Sequence, residues 1–463
     1  MKRQTKKQVW TIFGLIFVIF SCPFLINNNR NIKVNDINLN KAISTSSTPT
    51  VQWFHIWGGD GDEIGENVAV DLFGNVYVAG HTDSFGAGNT DMFLVKFNPL
   101  GYLEWNRTWG GSGNDFGIDI AIGASSSVYV AGSTESFGAG NTDMFLVKFN
   151  PLGDIEWNHT WGGSGDDGGY GMTIDASENL YVTGLKESFG ANGYDMCLVK
   201  FNPAGGVVWN HTWGGRGIDM GIDVAVDTSG NAYVVGTTTS FGAGYDDICL
   251  VKFNPMGGVV WNYTWGGGGY DYGYGIALDS SGKAYVAGHT TSFGAGSTDI
   301  CLVKFNPLGD IEWNRTWGGD RNDDGYDIVL DTSGDVCITG STNSFGLTHP
   351  DMCLVKFNSI GVEWNHTWGG NESERGHGVA LDLFGNAYVC GYTTSFGASN
   401  DDMFLVKFIG ITSEDSNQVP DPLLFIIIGS IIGGIAGGSG IIAIVIVGIV
   451  RPRRKRARAS LAT

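Results

Sequence analysis

The sequence predicts an all-β fold, a seven-bladed β-propeller, from three observations. A phrase with two tryptophans four apart, such as EWNRTWGG at 104–111, returns seven times. Its second tryptophan falls at Trp57, Trp109, Trp161, Trp213, Trp265, Trp317 and Trp368, a spacing of 52 residues five times and then 51. Within each period four short apolar runs alternate with glycine, proline and aspartate turns, the pattern of a four-stranded blade. The ends of the array supply the third observation. It opens with a lone tryptophan strand, VQWFHIW (51–57), and closes on MFLVKF (403–408) with no tryptophan strand after it. The first strand therefore completes the last blade by a 3+1 closure, leaving no unpaired edge between the chain ends.

One period shows each element. IDVAVD (222–227) is the first strand, and DTSGN follows as a turn in which Asp227 caps and Gly230 takes positive φ. NAYVVGTTT (231–239) is the second strand, SFGAGYDD a glycine-rich loop, ICLVKF (248–253) the third strand, NPMGG a turn, and VVWNYTW (259–265) the fourth. Side chains alternate along a strand, so the two tryptophans share one face. The pairs Trp53/Trp57, Trp105/Trp109, Trp157/Trp161, Trp209/Trp213, Trp261/Trp265, Trp313/Trp317 and Trp364/Trp368 are expected to fill the wedges between blades.

The ends read as membrane topology. Residues 1–26 join a basic MKRQTKK to an apolar run, a signal peptide or anchor. Residues 27–50 and 412–422 are polar linkers around the propeller at 51–411. Residues 423–450 carry no charge and are long enough for a transmembrane helix. The basic tail at 451–463 then belongs in the cytoplasm, with the propeller outside the cell. Ten of the 27 basic residues sit in 1–8 and 451–458, so the rest of the chain holds 17 basic against 47 acidic residues. A body so acidic repels phosphate backbones, and nucleic acid is not an expected partner.

Several motifs carry candidate chemistry. N-x-S/T sequons at Asn106, Asn158, Asn210, Asn262, Asn314, Asn365 and Asn371 are candidate glycosylation sites in an exported chain. GGxGxD places Asp115, Asp167, Asp219 and Asp271 in half of a calcium-binding nonapeptide. The 52-residue period lacks the stacked geometry that shares such ions, so a tight turn is the first reading and calcium a weak candidate cofactor. The aspartates equivalent to Asp91 are expected to cap the SFG loops. The lysines equivalent to Lys96 are expected at strand ends or ring faces. Cys197, Cys249, Cys301 and Cys353 stand where other units have phenylalanine and read as small buried residues. Neither a zinc-protease motif nor a nucleophile elbow occurs, so no catalytic residues are assigned, although an acid pair meeting at the ring centre stays open.

The unit WGGSGDDGGYGMTIDASENLYVTG, preceded by DMFLVKFNPLGDIEWN, resembles the SBBP beta-propeller repeat over residues 51–408. It departs from the family pattern in its compact SFGAG loop. The resemblance implies an exported or surface propeller and supplies no catalytic residues. The expected function is a membrane-anchored binding or adhesion module. Its protein or glycan ligand would meet a ring face at the variable stretches GDGDEI, GRGIDM, GGGYDY, GDRNDD, GNESER, GLTHP and GASND. The rival readings are a structural cell-envelope component, as in an S-layer, and an exported lyase, glycosidase or quinoprotein-like enzyme.

Overall fold

The computed structural model describes residues 49–411, apart from 189–192, 347 and 399. The leader, most of the first linker, the second linker, the span at 423–450 and the basic tail lie outside the described residues. Seven four-stranded antiparallel sheets form the body. Blades 1 to 6 run Glu63–Trp109, Asp115–Trp161, Asp167–Trp213, Asp219–Trp265, Asp271–Trp317 and Asp323–Trp368. Blade 7 joins Glu374–Ile409 to the N-terminal strand Thr50–Trp57. Strands are lettered a to d within each blade, in chain order for blades 1 to 6, and the N-terminal strand is strand d of blade 7. Each strand a packs on those of both neighbouring blades, and that of blade 1 meets that of blade 7, so the ring is closed around the a strands.

The predicted 3+1 closure is present. Thr50 pairs with Ile409 and Trp57 with Met403, so the two ends of the propeller leave from one point on the rim. Strand a begins three residues earlier than the sequence pattern indicates, at Asp219 rather than Ile222 in blade 4. The GGxGxD aspartate is thus the first residue of the strand, not part of the turn. The turn after strand a needs one left-handed residue. Glycine fills it in five blades, for instance Gly230 at φ 80°, while Ser126 and Glu178 take the same conformation in blades 2 and 3.

Strands b and c are buried on both faces, which explains their unbroken apolar runs. Each core cluster lies between two blades. The inner tryptophan of one blade meets the strand c ring of the next: Trp109 lies 4.5 Å from Phe145, Trp57 4.7 Å from Phe93 and Trp368 4.8 Å from Phe404. Four blades carry the smaller Cys197, Cys249, Cys301 or Cys353 in that slot, and all four thiols are buried and free. The outer tryptophan works differently. Trp105 lies edge-on to Tyr77 of its own blade, and the Pro-Gly turn of the next blade closes over it.

The lysines lie next to the ends of their strands, as Lys96 does in Asp91–Phe97, in surroundings the sequence pattern did not show. Lys96 sits opposite both Tyr77 and Trp105, its ammonium 5.4 Å and 6.0 Å from the two ring centres and 3.0 Å from Glu104. The repeated lysine is therefore sandwiched in a cation–π cluster that stiffens the outer blade. Lys356 of blade 6 is fully buried, with Asp331, Asp335 and Glu363 within 3.4 Å and the carbonyl of Ile411 at 2.9 Å. It ties the last described residue to blade 6.

Candidate functional site

A belt of loops holds one face of the ring together. Asp115, first residue of strand a, takes hydrogen bonds at one oxygen from Thr134 and at the other from Ser136 Oγ (2.6 Å) and Gly111 N (2.7 Å). Asp219 and Asp271 repeat the pattern, and Asp167 accepts from Gly163 N and Ser188 N. A calcium ion at these carboxylates would have to take oxygens that these donors now hold. Glu63, Asp323 and Glu374 fill the same slot in the other blades, where the sequence motif is broken. The Asp91 class caps the SFG loops as expected, Asp91 accepting from Ala87 N at 2.8 Å. The same aspartates dictate the first glycine of TWGG: a Cβ on Gly110 would lie 1.9 Å from Asp91 Oδ1.

Strand a also builds the axis. Every strand a is bulged after its third residue, so the fourth has no cross-strand partner: Glu66, Ile118, Tyr170, Ile222, Tyr274, Tyr326 and His377. A bulge re-aims a side chain, and all seven of these are half-exposed. The fifth residue alternates instead between Asp119, Asp223 and Asp327 and Gly171, Gly275 and Gly378, with Asn67 closing the series. Each aspartate bonds the amide after itself and one in the following blade. Asp327, for example, accepts from Ile328 N and Val379 N, both at 2.7 Å. A Cβ on Gly171 would lie 2.6 Å from Asp223 Cα, so the alternation is steric. Burial, and the charge of the other aspartates, raise these carboxyls: Asp119 to about 7 and Asp223 well above its ordinary value. Burial alone lifts Asp327 to about 6. These three carboxyls of strand a are thus each committed to backbone amides.

The bulge residues divide the axis into unlike halves. Blades 2 to 4 present Ile118, Tyr170 and Ile222 beside Phe116 and Met220. Blades 5, 6, 7 and 1 present a contiguous polar and aromatic cluster. His377 Nδ1 lies 3.0 Å from Glu66 Oε2, and His81 Nδ1 is 3.5 Å from Oε1. Burial opposes ionisation of Glu66, but His377 and His81 outweigh it and hold the carboxyl below its ordinary value. Burial pushes the His81 and His289 imidazoles down despite Glu66 and Asp324 beside them. Arg375 Nη1 donates to Tyr326 Oη at 3.3 Å.

An aromatic path leads to this cluster. Tyr245, 65% exposed on the SFG loop of blade 4, stacks on Tyr270 at 4.9 Å. Tyr270 is parallel to Tyr272 at 6.3 Å, and Tyr274 follows, edge-on to Tyr326 at 5.5 Å. Tyr326 then meets His377 at 5.4 Å, and His377 meets Tyr392 at 5.6 Å. Tyr272 is anchored through its hydroxyl to Asp246 at 3.0 Å.

Four matches to the beta-propeller repeat model named SBBP fall at 52–86, 213–242, 264–294 and 369–397. The chain carries SBBP beta-propeller repeats. A beta-propeller domain of unknown function (DUF5122) also matches 280–312. Among curated proteins, Regulatory protein FlaEY of Caulobacter vibrioides is 29% identical over 127 residues, covering 24% of this chain and 13% of that protein. An uncharacterized WD repeat-containing protein of Acanthamoeba polyphaga mimivirus is 22% identical over 266 residues, 49% of this chain and 18% of that protein. The chain spans less than a fifth of either relative. Among solved structures, polysaccharide lyase Uly1 matches with a TM-score of 0.45 and 9% identity, over 75% of this chain and 90% of that one.

Sequence reasoning placed Tyr270, Tyr272, Asp324 and Arg375 in its variable stretches but gave them no role. It missed Glu66, Tyr274, Tyr326 and His377. The available signal was the fourth position of strand a, which reads Glu, Ile, Tyr, Ile, Tyr, Tyr, His around the ring while its neighbours repeat. The inner tryptophans face the next blade while the outer ones lie against strand b of their own, and the seven sequon asparagines are all exposed, six of them on the outermost strands.

Proposed function

We propose that this chain is a membrane-tethered, cell-surface binding module whose propeller recognises a glycan at the axial face of blades 4 to 7 and 1. The aromatic path from Tyr245 to Tyr326 carries the reading. Sugar rings have flat apolar faces that stack on tyrosines, and their hydroxyls need the mixed donors and acceptors that Glu66, Asp324, Arg375 and His377 supply. The basic leader, the uncharged stretch at 423–450 and the basic tail support the tether. The exposed sequons support an exterior location, where the acidic body also stays soluble. Titration of the full-length protein in detergent with a panel of oligosaccharides, followed by tyrosine fluorescence, tests the reading. Binding that Tyr274→Ala weakens at least tenfold is expected. Binding that survives Tyr274→Ala and Tyr326→Ala unchanged overturns it.

A second reading is enzymatic, and one observation favours it. Glu66 engages His377 through Nδ1, which leaves Nε2 of the ring free to act as a base, with the Tyr326 ring 5.4 Å away. Loss of polymer chain length during incubation, absent in His377→Ala, would assign the site to catalysis.

A further inference from the structure

We infer that the axial site takes a carboxylate-bearing sugar unit, with Arg375 as the residue that meets the carboxylate. The inference rests on the glycan reading above and narrows its ligand class.

The charges in the cluster do not cancel evenly. Glu66 is answered by His377 and His81, and Asp324 faces His289 at 3.6 Å. Arg375 has no direct ion pair: among the described residues, no carboxylate lies within ion-pair distance of its guanidinium, and Asp324 and Asp401 act on it only from farther away. Its hydrogen bond goes to a neutral phenol, and its Nε is buried without a hydrogen-bond partner. A half-buried guanidinium with an unused donor is costly unless an anion arrives to meet it. The planar fork of an arginine matches a carboxylate through two parallel hydrogen bonds.

Placement narrows the ligand from any anion to a sugar acid. Arg375 lies at the inner end of the aromatic path, hydrogen-bonded to Tyr326, whose ring meets Tyr274. A sugar ring stacked on these tyrosines would bring a carboxylate at its edge towards the guanidinium. The acidic body does not forbid this, because at physiological salt its field decays over about 8 Å and the contact is local.

The test uses full-length protein in detergent, with tetramers of galacturonate and of mannuronate, each also as its neutral methyl ester. At least one acid should bind ten times or more tighter than its ester. Arg375→Gln should abolish that advantage by weakening acid binding far more than ester binding, and Arg375→Lys should restore part of it. Near-UV circular dichroism confirms that each variant is folded. Equal affinity for acid and ester, or an acid preference that survives Arg375→Gln, overturns the inference but leaves the glycan reading intact. A hexaglutamate peptide that binds through Arg375 as tightly as the acids would also overturn it, assigning the site to acidic peptides. If no acid or ester binds and the wider oligosaccharide panel also gives nothing, the glycan reading itself has failed.

Discussion

The outer strands and the axial strand of this propeller follow opposite rules. Outside the axial strand, tryptophan and lysine recur in every blade and tyrosine in six of the seven, because every wedge between blades has a similar shape to fill. At the axis the backbone pattern is equally regular, with a bulge in each strand a and an aspartate or glycine at its fifth residue in six of the seven blades. The side chains at the bulge and at the second residue of strand a vary around the ring, and those two positions turn a symmetric ring into an asymmetric face. Repetition therefore marks the scaffold, and departure from repetition marks the site.

One lysine breaks the rule at the rim and should show the largest effect. Lys356 is fully buried among three carboxylates and the Ile411 carbonyl, while the equivalent Lys148 keeps partial solvent contact and one carboxylate partner, Glu156, at 2.9 Å. Lys356→Met strands a buried Asp331 and should cost about 3–5 kcal/mol. Lys148→Met should cost about 1 kcal/mol or less. Denaturant unfolding of both variants decides, and equal costs would erase the distinction between the two sites. Pairing Lys356→Met with Asp331→Asn should recover part of the loss.

The steric alternation at the axis should respond less strongly. A Cβ on Gly275 would press within 3.2 Å of the Asp327 backbone, so Gly275→Ala should cost about 1–3 kcal/mol. Gly268, in the loop leading into the same blade, has nothing within 4 Å of the added carbon, and Gly268→Ala should stay within about 0.5 kcal/mol of wild type. Thermal unfolding of the pair tests whether the axis is as tightly specified as its geometry indicates.

The smallest effect is the pH dependence of the axial aspartates. Their folded pKa values lie above the unfolded one, so the folded state holds protons that the unfolded chain has released. Their contribution to stability should therefore grow as pH falls from about 7, the value for Asp119, towards the ordinary aspartate range. His81, His289 and His366, pushed down by burial, act in the opposite sense below their ordinary value. The informative quantity is thus the stability of wild type minus that of Asp119→Asn. This difference should shift in favour of wild type between pH 7 and pH 5, and parallel curves would refute the assignment.

Much of the fold was legible in the sequence because its signals are local. The tryptophan period counts the blades. The Asp-x-x-Gly and Asn-Pro turns mark strand ends. The solitary first strand and the missing last one specify the closure. The place of the lysines near strand ends was legible, but their partners were not, because these are cross-strand neighbours, Tyr77 and Trp105 for Lys96, that a linear pattern does not display. The GGxGxD aspartates were misplaced by the same blindness, since their Thr and Ser donors lie 19 and 21 residues away on the neighbouring strand and its loop.

What the sequence determined by itself was the ring: its blade count, its closure and its tryptophan seams, all set by periodicity and turn chemistry acting over a few residues. What only the tertiary structure decided was which residues meet at the axis. Glu66 and His377 stand 311 positions apart and become neighbours because the ring closes. A bulge invisible in composition turns their side chains, with Tyr274 and Tyr326, towards one another.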